Sequence, residues 1–317
     1  MLKKFNKSIK LSCLALSVLL CACSSDNAYR GMYDKEFTIP RAHVFIQAED
    51  KEATIQKELE LSKLSTYLDK VADDKAQRAS ALYTLAAVYD SLGLEATART
   101  MLVSALMLRP DFADAYNLLG FFLSLEGRYL EAVDAFDQAL ELGSKWAYIN
   151  RGVSLIYAGK DDMAIRDLKQ FYEFDKNDPY RIIWLYIAEK NALGKSKAHE
   201  LMAKRYSSCT SDKGAFANSV IELYLGLIDE NEYMQRVRNA VTVGKGNASE
   251  ILCDAYYYLS RLKLDEGYAA EAYDYLKLTQ ATKRYDFLEY RLAAVDLKKV
   301  KDMLGFKTRT GLTQSSS

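Results

Sequence analysis

The feature that most constrains what this chain can fold into is a pattern of small and large apolar residues that recurs after 34 positions. Leu82, Leu85, Ala86, Tyr89, Gly93, Ala98, Leu102, Ala105 and Pro110 are followed at that spacing by Tyr116, Leu119, Gly120, Leu123, Gly127, Ala132, Phe136 and Ala139. A third copy, closer by two residues, holds Tyr148, Gly152, Leu155, Gly159, Ala164, Leu168 and Phe171. A period of this length marks one supersecondary unit that cannot bury its apolar face alone and must stack on its neighbours. The chain has 3 prolines and 15 glycines in 317 residues, so turns are few and helices long. Ala86, Gly120 and Gly152 fall where the two helices of a unit come closest, facing the small residues Ala98, Ala132 and Ala164. Gly93, Gly127 and Gly159 fall in the turn between them, where a positive φ costs glycine nothing. Leu102, Phe136 and Leu168 are the large side chains that fill the space between stacked pairs.

This pattern resembles the tetratricopeptide repeat, and the expected fold is an all-α tetratricopeptide-repeat helical solenoid with flanking capping helices. Two positions depart from the pattern. Ser144 replaces the closing proline of the second copy, and Arg151 stands where the third should have an aliphatic residue. A weaker fourth copy holds Tyr256, Leu259, Ser260, Gly267, Ala272 and Leu276, with Lys263 at an aromatic or aliphatic position. Asn177-Asp178-Pro179 is a helix start, with Asp178 as N-cap and Pro179 in the first turn. A nearly all-apolar helix follows over Arg181 to Asn191, then irregular helices near Lys197 to Tyr206, Ala215 to Leu225 and Glu230 to Ala240. Val44 to Leu68 reads as a helical stretch with Phe45, Ala48, Ile55, Leu59 and Leu68 on or near one face.

The N-terminus is an address. Four lysines and no acid precede an apolar stretch of roughly ten residues, too short to span a bilayer and right for a secretory signal. It ends in Leu20-Cys21-Ala22-Cys23, which resembles a bacterial lipobox and implies lipidation of Cys23. Cys21 is the rival acceptor, but Leu20 before it is too bulky for the position next to the cut. Ser24 follows the lipidated position where inner-membrane lipoproteins tend to have Asp, so the resemblance implies an outer-membrane anchor facing the periplasm. The polar run from Ser24 to Pro40 reads as a tether of about 60 Å maximum reach, at ~3.5 Å per residue.

The divisions that follow are a lipoprotein signal peptide over 1–22, a lipidated N-terminus and tether over 23–40, and N-terminal flanking helices over 41–78. Three repeats occupy 79–179, an irregular helical segment 180–250, a C-terminal repeat-like pair with a capping helix 251–300, and a disordered tail 301–317.

The residues present no catalytic constellation and no pattern that requires a cofactor. There are two histidines, His43 in the expected tether and His199, too few for a zinc site built on two or three. Gly194-Lys195-Ser196 resembles the end of a phosphate loop, but Glu189 stands where its first glycine belongs and a helix is expected where a strand should precede. Gly244-Lys245-Gly246-Asn247 reads as a turn. Cys209 and Cys253 remain once Cys23 is lipidated; in helical surroundings each reads as a small buried hydrophobe, with a disulfide as the alternative. Asp73-Asp74 and Asp161-Asp162 coincide with helix starts. With 43 Lys+Arg against 43 Asp+Glu, nothing supplies the basic surplus that nucleic acid requires.

What remains is contact. The inner surface of such an array is lined by first-helix residues that face away from the second helix, here Ser80, Tyr83, Ala87 and Asp90, then Asp114, Asn117, Phe121 and Ser124, then Trp146, Ile149, Asn150, Val153 and Tyr157. Tyr83, Asn117, Phe121, Trp146, Asn150 and Tyr157 are the candidate partner-binding residues. They make an aromatic, neutral groove suited to a peptide held by aromatic anchors, or to one of the protein's own flanking helices.

VYDSLGLEATAR, INRGVSLIYAG and NDPYRIIWLYIAE, together with the lipobox, tether and opening helix, resemble the NlpI family of outer-membrane lipoproteins. That resemblance implies a non-catalytic homodimer. It further implies an adaptor that brings murein hydrolases to a periplasmic tail-specific protease and scaffolds cell-wall remodelling enzymes. A lipobox with such repeats also occurs in structural lipoproteins of outer-membrane assembly machines, which is the alternative expectation.

Overall fold

The computed structural model describes residues 38–45, 51–211, 216–243 and 247–305, and among these the chain folds into fourteen α-helices and no strand. They are α1 (Lys51–Lys70), α2 (Lys75–Ser91), α3 (Glu95–Leu108), α4 (Ala113–Leu125), α5 (Tyr129–Glu141), α6 (Ala147–Tyr157) and α7 (Asp161–Phe174). The second half comprises α8 (Pro179–Leu193), α9 (Lys195–Ser208), α10 (Phe216–Tyr224), α11 (Glu230–Val243), α12 (Ala248–Asp265), α13 (Ala269–Ala281) and α14 (Leu288–Met303). Several starts are chemically explicit. The Asp74 carboxylate accepts the Gln77 N–H at 2.9 Å, and Asp178 accepts that of Tyr180 at 2.9 Å with Pro179 opening the helix.

Helices pair as α2 with α3, α4 with α5, α6 with α7, α8 with α9 and α12 with α13. The small residues at the crossings explain how closely the pairs approach. A Cβ on Gly120 would lie 2.8 Å from the Phe136 ring, and one on Gly152 would lie 2.8 Å from Leu168 Cγ. Gly127 closes its turn at φ 77°. Each departure from the repeat pattern has found a polar partner. Arg151 pairs with the buried Asp167 through two 2.7 Å bonds and with Asp137. Ser144 donates to Asp114 at 3.1 Å, and Lys263 binds Glu230 at 2.6 Å and Glu271 at 3.3 Å.

Behind the repeats, α8 is buried on all sides from Ile182 to Ala188, as a helix apolar on every face must be. Tyr256, Tyr257 and Tyr258 on α12 are fully buried with it, and Trp184 lies 6.3 Å from the Tyr257 ring and 6.4 Å from that of Tyr258. Of the chain's 23 tyrosines these three are therefore core. Cys209 and Cys253 are buried and unpaired, which removes the disulfide alternative. Gly194 joins α8 to α9 with φ 85°, so helix and not strand precedes it.

Three expectations need correction. Val44 and Phe45 are not helical, and α1 is described from Lys51. His43 and the end of the expected tether are not free: Ile39 and His43 are buried, and the stretch from Thr38 to Phe45 lies against the C-terminal helices. Main-chain groups of the segment are hydrogen-bonded by side chains more than 190 positions away, a long-range fit that local periodicity does not register. Finally, α14 runs to Met303, past the expected start of the tail at 301, because Val300 is 1% exposed and holds the last turn to the core. Cys23 and the signal peptide lie outside the described residues, as do Ala48, 244–246 and the tail from 306.

Candidate functional site

The concave face is built by α2, α4 and α6, the first helix of each repeat. At its outer edge Tyr83 is half-buried, its ring 4.8 Å from that of Phe112, and burial with the nearby Asp114 carboxylate pushes its hydroxyl up from its ordinary pKa. Arg109 lies 3.2 Å over the Phe112 ring and donates to Ser80 at 3.2 Å. Asn150 donates through Nδ2 to Asn117 Oδ1 at 3.0 Å, a rung between neighbouring repeats, and Ser124 and Ser154 form another at 2.6 Å. Trp146 precedes the first residue of α6, is 61% exposed, and rests one side of its indole 5.6 Å from Phe171.

The deeper part of the groove is filled by α14. Arg291 forms a buried ion pair with Asp90, donates to the Tyr285 carbonyl at 2.5 Å and stacks 4.9 Å over Phe121. Farther along the same helix, Asp296 accepts the Tyr157 hydroxyl at 2.8 Å and pairs with Arg261 at 3.3 Å, while Lys299 lies 4.3 Å over the Tyr157 ring. An enclosed space between α4, α6 and α14 is lined by Phe121, Ser124, Asn150, Tyr157, Leu292 and Val295. Before α14, Tyr285 presses on the first repeat's turn, where a Cβ on Gly93 would meet its ring at 2.8 Å.

The six candidate residues thus divide. Phe121 and Tyr157 face the protein's own C-terminal helix, and Asn117 and Asn150 bond to each other beside it. Tyr83 and Trp146 lie on the outer edge. A flanking helix was one expected occupant of the groove; the occupant is α14, whose Arg291 and Asp296 meet Asp90 and Tyr157. The available signal was Asp90, one of two carboxylates, with Asp114, in a groove read as neutral.

Asp90 is held above the ordinary carboxylate range because burial outweighs the opposing pull of Arg291. The histidines are committed to packing: His43 Nδ1 lies 3.2 Å from the Tyr275 hydroxyl, and the His199 ring lies 5.6 Å from that of Tyr186. What this surface can do chemically is bind. It offers exposed aromatic faces, an amide rung and a carboxylate at Asp114.

The tetratricopeptide repeat family matches residues 113–142. Over 265 residues the chain is 36% identical to the lipoprotein NlpI homolog of Haemophilus influenzae, an alignment covering 83% of each protein. A tetratricopeptide repeat protein from Parabacteroides merdae is 14% identical with a TM-score of 0.49, covering 79% of this chain and 94% of that one. The crystal structure of MamA is 19% identical with a TM-score of 0.42, covering 52% of this chain and 95% of that one.

Proposed function

The chain belongs to the NlpI lipoprotein family, and from that premise we propose that it is an outer-membrane-anchored periplasmic adaptor that binds proteins through its helical repeats. Cys23 carries the lipid, and the residues between it and Thr38 are the leash. The clients are murein hydrolases, presented to a periplasmic tail-specific protease, so that the protein organises cell-wall remodelling without catalysing a reaction. It works as a homodimer. Support for dimerisation comes from α1, where Ile55 is 52% and Leu59 48% exposed on a helix that packs against α2.

The observation that carries the adaptor reading is the open aromatic edge of the repeats. Trp146 at 61% exposure is a large apolar surface that folding has left uncovered, on a scaffold fixed by stacked pairs. Exposed aromatics on rigid elements are the usual anchors of protein interfaces. Tyr83 adds a hydroxyl to that edge, and the bonded Asn117 and Asn150 amides lie deeper, beside α14.

Capture of the anchored protein from a detergent extract tests the reading. A tail-specific protease and murein hydrolases should be recovered with the wild type and diminished with Trp146→Ala. Recovery of barrel-assembly proteins in their place would overturn it in favour of a structural lipoprotein of an assembly machine.

A further inference from the structure

A second groove lies between α11, α12 and α13, and residues Thr38–Phe45 of the chain itself fill it. The Asp274 carboxylate accepts the Thr38 N–H at 2.7 Å and the Thr38 hydroxyl at 2.8 Å. Arg238 donates to the Ala42 carbonyl at 3.0 Å and lies 5.3 Å over the Phe45 ring. The Tyr256 hydroxyl accepts the Phe45 N–H at 2.8 Å and sits 3.2 Å from both the His43 and Phe45 carbonyls. His43 enters a pocket where its Nδ1 lies 3.2 Å from Tyr275 Oη and 3.4 Å from Glu230.

Most of these bonds go to main-chain atoms: the N–H of Thr38 and of Phe45, and the carbonyls of Ala42, His43 and Phe45. The segment makes a 3-10 turn over Arg41–His43, and because the groove side chains hold its main-chain groups, selectivity falls to the side-chain pockets. Two residues fill such pockets, Ile39 at 4% exposure and His43 at 6%, four positions apart. Thr38, Pro40, Arg41 and Ala42 face solvent, so the segment lies along the surface and the groove is open on its outer side.

We propose that the α11–α13 groove is a second peptide-binding site, which takes a segment of a partner polypeptide carrying an aliphatic residue and, four positions later across a single 3-10 turn like that of Arg41–His43, a histidine. Thr38–Phe45 is its resident occupant and competes with the partner. This names a site and a ligand class within the adaptor reading, but its test uses no cell-wall client, so the two stand or fall separately.

The test uses the lipid-free chain with the resident segment unseated by Ile39→Asp and His43→Asp, which leave every groove residue in place. A fluorescent peptide of sequence TIPRAHVF is titrated and followed by anisotropy. The unseated chain should bind it at least tenfold more tightly than the wild type, whose groove is filled. Asp274→Asn with Tyr256→Phe in the unseated chain should weaken that binding at least tenfold, and a peptide with alanine at the Ile and His positions should bind as weakly. A second unseated form, Thr38→Pro with Phe45→Gly, adds no charge to the groove and should behave like the first. Absence of binding by both forms while each melts cooperatively would overturn the proposal. So would loss of cooperative melting in both, which would make Thr38–Phe45 part of the core and not a removable occupant.

Discussion

Arg291→Ala tests whether α14 is held in the groove by its ion pair. The side chains of Arg291 and Asp90 are 7% and 8% exposed, and the pair is joined across 201 positions of sequence. Removing the guanidinium leaves a buried carboxylate with no counter-charge, a change that costs about 3–5 kcal/mol. Burial already holds Asp90 above the ordinary carboxylate range despite Arg291, so desolvation exceeds the attraction between the two. The pair therefore fixes where α14 sits more than it stabilises the fold, and replacing both members together should cost much less than removing one. Urea unfolding at pH 7 followed by circular dichroism measures both cases. Arg291→Ala should lose at least ~3 kcal/mol, and Asp90→Leu with Arg291→Met no more than ~1 kcal/mol, as replaced buried pairs commonly do. A loss below ~1 kcal/mol for Arg291→Ala would mean that the pair is solvated and the latch reading wrong. Equal losses in the single and double variants would locate the stability in the pair itself and refute the desolvation argument.

Other consequences are as direct. Trp146→Ala should change stability by less than ~1 kcal/mol, because the indole is 61% exposed, yet weaken binding of a murein hydrolase client about thirtyfold in a calorimetric titration. Gly152→Ala should cost about 1–3 kcal/mol in thermal unfolding, since its Cβ would lie 2.8 Å from Leu168 Cγ in a packed crossing. Asp254 and Glu289 are both held above the ordinary carboxylate range, chiefly by burial, and Glu289 accepts the Tyr258 hydroxyl at 2.7 Å. The folded chain therefore keeps protons that the unfolded chain releases near pH 4, and their contribution to stability is full below that and lost as pH rises through the folded values. Glu289→Gln should flatten the fall in urea midpoint as pH rises above the unfolded carboxylate range of about 4, and an unchanged slope would exclude this carboxyl as its source. Cys23→Ala should abolish palmitate labelling, which would persist if Cys21 were the acceptor.

The repeat pairs were legible because their signal is local. Ala98, Ala132 and Ala164 sit at positions where only a small side chain permits the crossing, and each is fully buried. The inner face of the groove was legible for the same reason, since helical period assigns Phe121, Asn150 and Tyr157 to one side of their helices. What covers that face was not. Asp90 meets Arg291 201 positions on, and Tyr157 meets Asp296 139 positions on. A single charged residue in an amphipathic helix reads as solvated surface until its partner is known. The Thr38–Phe45 segment was missed for a different reason: it has no period of its own, and the groups that fix it are peptide N–H and C=O groups, which every residue carries.

Both concave surfaces thus hold pieces of the same chain, and the two occupants differ in how they can yield. Helix α14 is committed on two sides, with Ala293 and Val300 fully buried or nearly so while Arg291 and Asp296 face the repeats, so removing it from the groove would expose core. Thr38–Phe45 buries Ile39 in the core and His43 against Tyr275 while Thr38, Pro40, Arg41 and Ala42 stay exposed, so its release uncovers two pockets and not a whole helix face. A covalently joined segment competes at an effective concentration on the order of millimolar. A partner peptide of equal intrinsic affinity would therefore lose to it at micromolar concentration, and would succeed only when a second contact, such as the Trp146 edge, raises its own local concentration. A client engaging both surfaces should then bind more tightly than through either contact alone. Trp146→Ala should abolish its access to the α11–α13 groove in the wild-type chain while leaving peptide binding by the unseated chain unchanged. Loss of peptide binding in both chains would show that the two surfaces are one site.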